Sequence, residues 1–290
     1  MTVSWYFRRA VYFSALLPML LLGKLPRKVL MATIGRSVYF LAYSVIRYRY
    51  PVVLQNLARA FPEKTYSEIH MLAKGFYRHF SALLVEMVRS ASIDKKEQAG
   101  QLRLVNPELL NHYHRQGRPM VGLLGHYGNW ESLNILASEL PFQVNALYKP
   151  LSQPSICDLM RRIRGRFGMR LIPAGKALKQ LMQQRDCAAL SLFIADQFPG
   201  KDRGYRMEFL NQPTALFDGA EKLARRINAV VFYIALEKNT SDGWDVTFSV
   251  ITDRAEDTVP GEITRRFGEH LQQTIRKAPA YWLWSHRRWK

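Results

Sequence analysis

The sequence predicts an α/β protein, a mixed sheet flanked by helices, with a separate helical region in front of it. Three observations carry that prediction. From about residue 101 onward, short apolar runs alternate with helical patterns, which is the texture of strands and helices folded into one layered domain. Residues 51–99 show sustained helical periodicity and no strand-like run. Residues 1–50 contain two apolar pieces bracketed by Arg and Lys. The chain therefore divides into 1–50, 51–100 and 101–290.

The first apolar piece, 10–22, follows Arg8 and Arg9, is interrupted only by Ser14 and Pro18, and precedes Lys24, Arg27 and Lys28. It falls short of the roughly 20 apolar residues that cross a bilayer as a helix. No small-x-small cleavage site follows Leu22, so the segment reads as retained rather than as a removed secretory signal. The second piece, 29–46, carries Arg36 near its middle. A central Arg costs roughly 2.5 to 3.5 kcal/mol on insertion scales, so this piece is expected to lie along an interface. With Trp5, Tyr6, Tyr12, Tyr39, Tyr43 and Tyr48 among these basic flanks, residues 1–50 read as an N-terminal helical membrane-anchoring region, and the cations favour an anionic cytoplasmic leaflet. Two ordinary core helices are the competing reading.

Within 67–90, Ile69, Leu72, Ala73, Phe76, Phe80, Leu83, Leu84 and Met87 recur at helical spacing. His70 and His79 on that helix read as ordinary surface or partly buried histidines. Further on, the expected strands are 119–125, 142–148, 188–195, 229–236 and 244–251. The expected helices are 129–140, 154–166, 176–185, 218–227 and 262–276. In sheets of this kind ligands bind beyond the carboxyl ends of the strands.

Composition narrows the functional classes. In 290 residues, 48% are hydrophobic and 22% charged, with 17 Gly and 14 Pro, which excludes disorder and collagen-like chains. The two cysteines, Cys157 and Cys187, form no CxxC pair, so neither a disulfide framework nor a metal site is expected. The 42 Lys+Arg against 23 Asp+Glu give +19, a bias that suits nucleic acid, an anionic membrane, or a phosphorylated substrate with an acidic carrier protein. No RNA- or DNA-binding motif accompanies the charge.

One corner of the chain has the residues for chemistry. The run 121–131 leads an apolar strand through His126 into a turn eased by Gly125 and Gly128, with Glu131 in the first turn of the next helix. That turn can fold the Glu131 carboxylate toward the imidazole, fix its tautomer and make it a general base. The bare His-x4-Glu spacing is weak by itself; its place at a strand-to-helix corner selects it, since the histidines at 70, 79, 112, 114 and 270 have no acidic residue five positions on. The alternative is that His126 caps the helix and Glu131 complements its dipole. No GxSxG elbow is present.

The segment LLGHYGNWESLNIL, 123–136, resembles the signature of the lysophospholipid acyltransferase superfamily, and specifically its lipid A late acyltransferase branch. Ordered matches extend that resemblance over nearly the whole chain: Tyr148, Lys149 and Pro150; the arginine-rich RRIRGRFG of 161–168; IADQ at 194–197; FLNQPTALFDGAEKLA at 209–224; and the tail WLWSHRRWK. One departure is Leu216, which stands three residues before Gly219 where many members have threonine.

The resemblance implies transfer of a fatty acyl chain from an acyl carrier protein, or from acyl-CoA, to a hydroxyl of a lipid A precursor at the cytoplasmic face of a bacterial inner membrane. It implies no cofactor and no nucleic-acid partner, and makes 101–290 the catalytic domain. His126 matches the family's base and Glu131 its orienting carboxylate; Arg164 and Asp196 match residues expected to bind substrate, with Asn129 shaping the turn or contacting it. Arg287 and Arg288 with Trp289 look suited to anionic headgroups. The rival readings are an acyltransferase of the same superfamily acting on an aminolipid or glycolipid, and a non-catalytic basic protein that binds nucleic acid or membrane.

Overall fold

The computed structural model describes residues 3–200 and 203–289, with the side chains of 3–8 and 10 outside the description; those of Trp5, Tyr6 and Arg8 are among them. Among the described residues the strands are β1 (Leu102–Leu104), β2 (Met120–Leu124), β3 (Val144–Tyr148), β4 (Arg170–Pro173), β5 (Leu190–Ile194), β6 (Tyr205–Glu208), β7 (Pro213–Leu216), β8 (Val230–Lys238) and β9 (Trp244–Thr252). Seven of them form one sheet in the order β1-β9-β8-β2-β5-β3-β4. All neighbours are parallel except the β8–β9 hairpin, so the sheet is mixed as the sequence predicts. β6 and β7 pair separately as an antiparallel hairpin.

Alternate residues of a strand face opposite sides, and here the two sides carry two cores. Val121, Leu123, Val231 and Tyr233 face a cluster with Leu57 and Phe76 from the helices Tyr50–Ala60 and Tyr66–Arg89, and with Leu223 and Leu271 from Gly219–Arg226 and Glu262–Lys277. Met120, Leu124, Phe232 and Ile234 face Leu110 of Pro107–Arg115 and Leu133 and Leu136 of the segment after β2. The segment 51–100 thus shares a core with the sheet. Its long helix starts at a reciprocal cap, where the Glu68 backbone N–H donates to Thr65 Oγ1 at 3.3 Å and the Thr65 N–H to Glu68 Oε2 at 2.8 Å.

Several short elements escape the sequence pattern. β1 and β4 span three and four residues, too few for a period to register. The helix expected over 129–140 is instead a 3-10 segment, Trp130–Ile135, followed by one α-turn, Leu136–Glu139. Ser132 Oγ donates to Asn129 O at 2.6 Å and Asn134 Nδ2 to Ile163 O at 3.2 Å; such side-chain bonds to backbone carbonyls compete with regular helix geometry. The N-terminal pieces are helical: Val3–Leu22 encloses Pro18, and 27–45 runs through π-turns at Met31–Gly35 and Leu41–Val45. No single described helix is long and apolar enough to cross a membrane; Arg27–Val45 and Tyr50–Ala60 together reach that hydropathy but bend by 83°.

Candidate active site

The site is assembled by strand register. β2 and β5 are parallel neighbours with Leu124 opposite Ile194. Two residues beyond each of these paired ends stand His126 and Asp196, which register alone brings side by side. The Ala195 N–H donates to Leu124 O at 3.0 Å and carries the ladder to the site's edge. His126 Nδ1 lies 2.6 Å from Asp196 Oδ1, and the His126 backbone N–H donates to Asp196 Oδ2 at 2.8 Å. Trp282 Nε1 donates to the same Oδ2 at 2.8 Å.

Asp196 is 2% exposed. Burial alone would raise its carboxyl, but the charge and hydrogen bonds of His126 and the Trp282 indole outweigh it and hold the group down to about 2. A buried carboxylate on Nδ1 fixes the tautomer that leaves Nε2 free as an acceptor. That nitrogen lies 3.4 Å from Gln197 Nε2, and Trp130 packs edge-on to the ring at 5.2 Å.

Glu131 does not orient His126, against the expectation from the spacing. Arg164 takes its carboxylate in a bidentate pair, Nε to Oε2 at 2.9 Å and Nη2 to Oε1 at 2.5 Å. Planar guanidinium–carboxylate forks are among the stronger side-chain pairs. Burial works against the Arg164 charge, but Glu131 prevails and raises its pKa. The 3-10 geometry of 130–135 goes with this outcome: Glu131 reaches across to helix Pro154–Gly165 instead of back to the corner. Asp196, expected to contact substrate, is the group on the imidazole.

The corner is braced by the C-terminal tail. The Gly128 N–H donates to Tyr281 O at 3.0 Å and the Leu283 N–H to His126 O at 3.1 Å, with Tyr127 bridging to Trp282. Gly128 is the stricter of the two glycines, because a side chain at Gly125 would meet chiefly the movable tip of Leu271. A Cβ on Gly125 would lie 2.7 Å from Leu271 Cδ1, and Gly128 has φ 63° with Trp244 2.9 Å from where a Cβ would stand.

His126, Glu131 and Arg164 line one cavity of about 660 Å³. Its mouth is polar, with Lys149, Ser152 and Gln197; further in it is walled by Leu133, Ala146, Met169, Leu171 and Leu192. A second cavity of about 870 Å³ adjoins it across Tyr148, Lys149 and Gln197, with Arg203, Lys222 and Arg226 on its rim. Asn129 is buried and faces neither; it lines a third cavity near the N-terminal helices. Among the described residues no three His, Cys, Asp or Glu side chains are grouped to hold a metal ion.

One tail expectation changes. Arg288 is 1% exposed, donates to Thr214 Oγ1 and Ala215 O at 2.7 Å each, and lies over the Phe209 ring. Burial pushes its pKa down to about 10, so it braces the β6–β7 hairpin instead of meeting headgroups. Sequence reasoning also missed Trp282 as a site residue, although the tail motif contained it.

No curated protein matches the sequence in a direct comparison. The profile of one family, the bacterial lipid A biosynthesis acyltransferases, matches residues 2–290. The site geometry and that whole-length match together identify the chain as a member of the bacterial lipid A biosynthesis acyltransferase family.

Proposed function

We propose that the protein moves a fatty acyl chain from a thioester donor, on acyl carrier protein or coenzyme A, to a hydroxyl of a lipid A precursor. The observation that carries this reading is the His126–Asp196 pair at 2.6 Å with Nε2 beside an apolar-walled cavity, in a chain of this family. Nε2 removes the acceptor hydroxyl proton as the oxygen attacks the thioester carbonyl, and the tetrahedral intermediate collapses with loss of thiolate. The imidazolium, stabilised by Asp196, returns the proton to the thiolate; the products are an ester and a free thiol. The acyl chain lies along Leu133, Ala146, Met169 and Leu192, and the basic rim of the adjoining cavity suits a phosphorylated acceptor.

The reaction takes place at the cytoplasmic face of a bacterial inner membrane. What supports this is an exposed row on helix Val3–Leu22, Phe13, Leu17 and Leu21 at i, i+4 spacing, continued by Val29, Phe40, Leu41, Val45 and Ile46. Exposed apolar rows flanked by cations are how helices lie in an interface.

The test is a transfer assay with purified protein, acyl-carrier-protein and acyl-CoA donors and a hydroxyl-bearing lipid A precursor, read by mass spectrometry. Wild-type protein should add one acyl group and His126→Ala should add none. Undiminished transfer by His126→Ala would overturn the assignment of the base.

A further inference from the structure

A cavity of about 650 Å³ opens at the seam between the N-terminal helices and the β8–β9 hairpin. None of His126, Asp196, Glu131 or Arg164 lines it. Five cations do: Arg27, Lys28, Arg36, Arg78 and Lys238, against two carboxylates, Glu86 and Asp242. The carboxylates are already engaged. Glu86 and Asp242 both hold Arg27, and Asp242 also takes Lys238 Nζ at 2.6 Å. Lys28, Arg36 and Arg78 are exposed and make no side-chain ion pair or hydrogen bond among the described residues. His79, on the same wall, is buried, its Nε2–H donates to Gly128 O at 3.2 Å, and burial lowers its pKa to about 4. It is therefore neutral and adds nothing to the positive charge.

We infer that this cavity holds the phosphate headgroup of an anionic membrane lipid. The inference rests on reading the exposed apolar row of residues 13–46 as membrane-facing. Unpaired guanidinium groups match phosphate oxygens in a planar fork, and two such groups around one cavity make a stronger phosphate site than scattered lysines. The same helical run lines the cavity through Lys28, Ala32 and Arg36 and presents Val29, Phe40 and Leu41 outside it. A ligand whose charge enters here has its apolar part beside an apolar surface. A soluble phosphate or a nucleic acid would gain nothing from that neighbour, whereas a lipid uses both.

The test uses the full chain and monomeric dihexanoyl phosphatidic acid in calorimetric titration, so that membrane docking is not required for binding. One saturable site is expected. Arg36→Gln/Arg78→Gln should weaken it at least tenfold, whereas Arg115→Gln/Lys179→Gln, which removes two exposed charges elsewhere, should change it less than twofold. Equal weakening by both pairs would reduce the effect to general charge and overturn the site. Equal affinity for dihexanoyl phosphatidylcholine, or competition by inorganic phosphate at the same concentration, would overturn a lipid phosphate as its ligand. Vesicle pelleting separates the underlying reading: if Phe13→Glu/Leu17→Glu still pellets with phosphatidylglycerol vesicles like wild type, the membrane-facing row fails, while the titration still decides the pocket.

Discussion

At the residue scale the question is which carboxylate meets the His126 imidazole, the proposed base. Asp196 Oδ1 is 2.6 Å from His126 Nδ1, and Glu131 is committed to Arg164. Asp196→Asn keeps the shape but can no longer stabilise the imidazolium or enforce its tautomer, so kcat should fall roughly a thousandfold or more, as at comparable triads. Glu131→Gln should act through Arg164. Its effect on transfer should equal that of Arg164→Gln, and the double variant should be no worse than either, because residues in one pair couple instead of adding. Kinetics of wild type and these three variants check this; an additive double variant would show that the two residues act separately. The reason spacing misled is local. An offset of five residues brings Glu131 near the corner, but the direction of its side chain was set by a partner on another helix.

At the element scale the long helix Tyr66–Arg89 and the turn after β2 are joined through His79, whose ring also meets Trp244 and Tyr281. Its pKa in the folded state is about 4, below the 6.5 of the free side chain. The folded protein therefore binds fewer protons here than the unfolded chain. Stability from this group is present above pH 6.5 and lost as pH falls toward 4, by about 3 kcal/mol in total. His79→Gln keeps an amide donor for Gly128 O and does not titrate. Denaturant midpoints of the two proteins should converge as the pH is lowered from 6.5 to 4; a difference that stays constant over that interval would remove His79 from the acid response. The periodicity showed the helix and its apolar face but not this contact, because the sequence does not say which loop the helix covers.

Across the whole molecule, the cavity at His126 runs from a polar mouth to a wall of Leu133, Ala146, Met169 and Leu192 supplied by β3, β5 and the segments beside them. Under the proposed function its depth would set how much acyl chain is buried, and each methylene is worth about 0.8 kcal/mol. Ala146→Phe should fill the inner part, shift donor preference to shorter chains, and leave the His126–Asp196 pair intact. Competition between donors of two chain lengths measures it; an unchanged preference would place the acyl chain elsewhere. The same scale explains the tail. Residues 281–283 close over the turn after β2 and Trp282 reaches Asp196, so the last residues of the chain hold a site near its middle.

The α/β class, the main strands and His126 at the end of β2 were legible in the sequence, because apolar runs and glycine turns are local signals that neighbouring residues dictate. The ordered motifs carried the family. Tertiary structure decided what no local pattern can encode: that β2 and β5 are neighbours in register, so that Asp196 and not Glu131 meets the imidazole; that Arg288 turns inward; and that Asn129 opens onto a different cavity. Partners of a side chain depend on which distant segments the packed sheet brings within hydrogen-bond reach, and short edge strands exist only because a longer neighbour pairs with them.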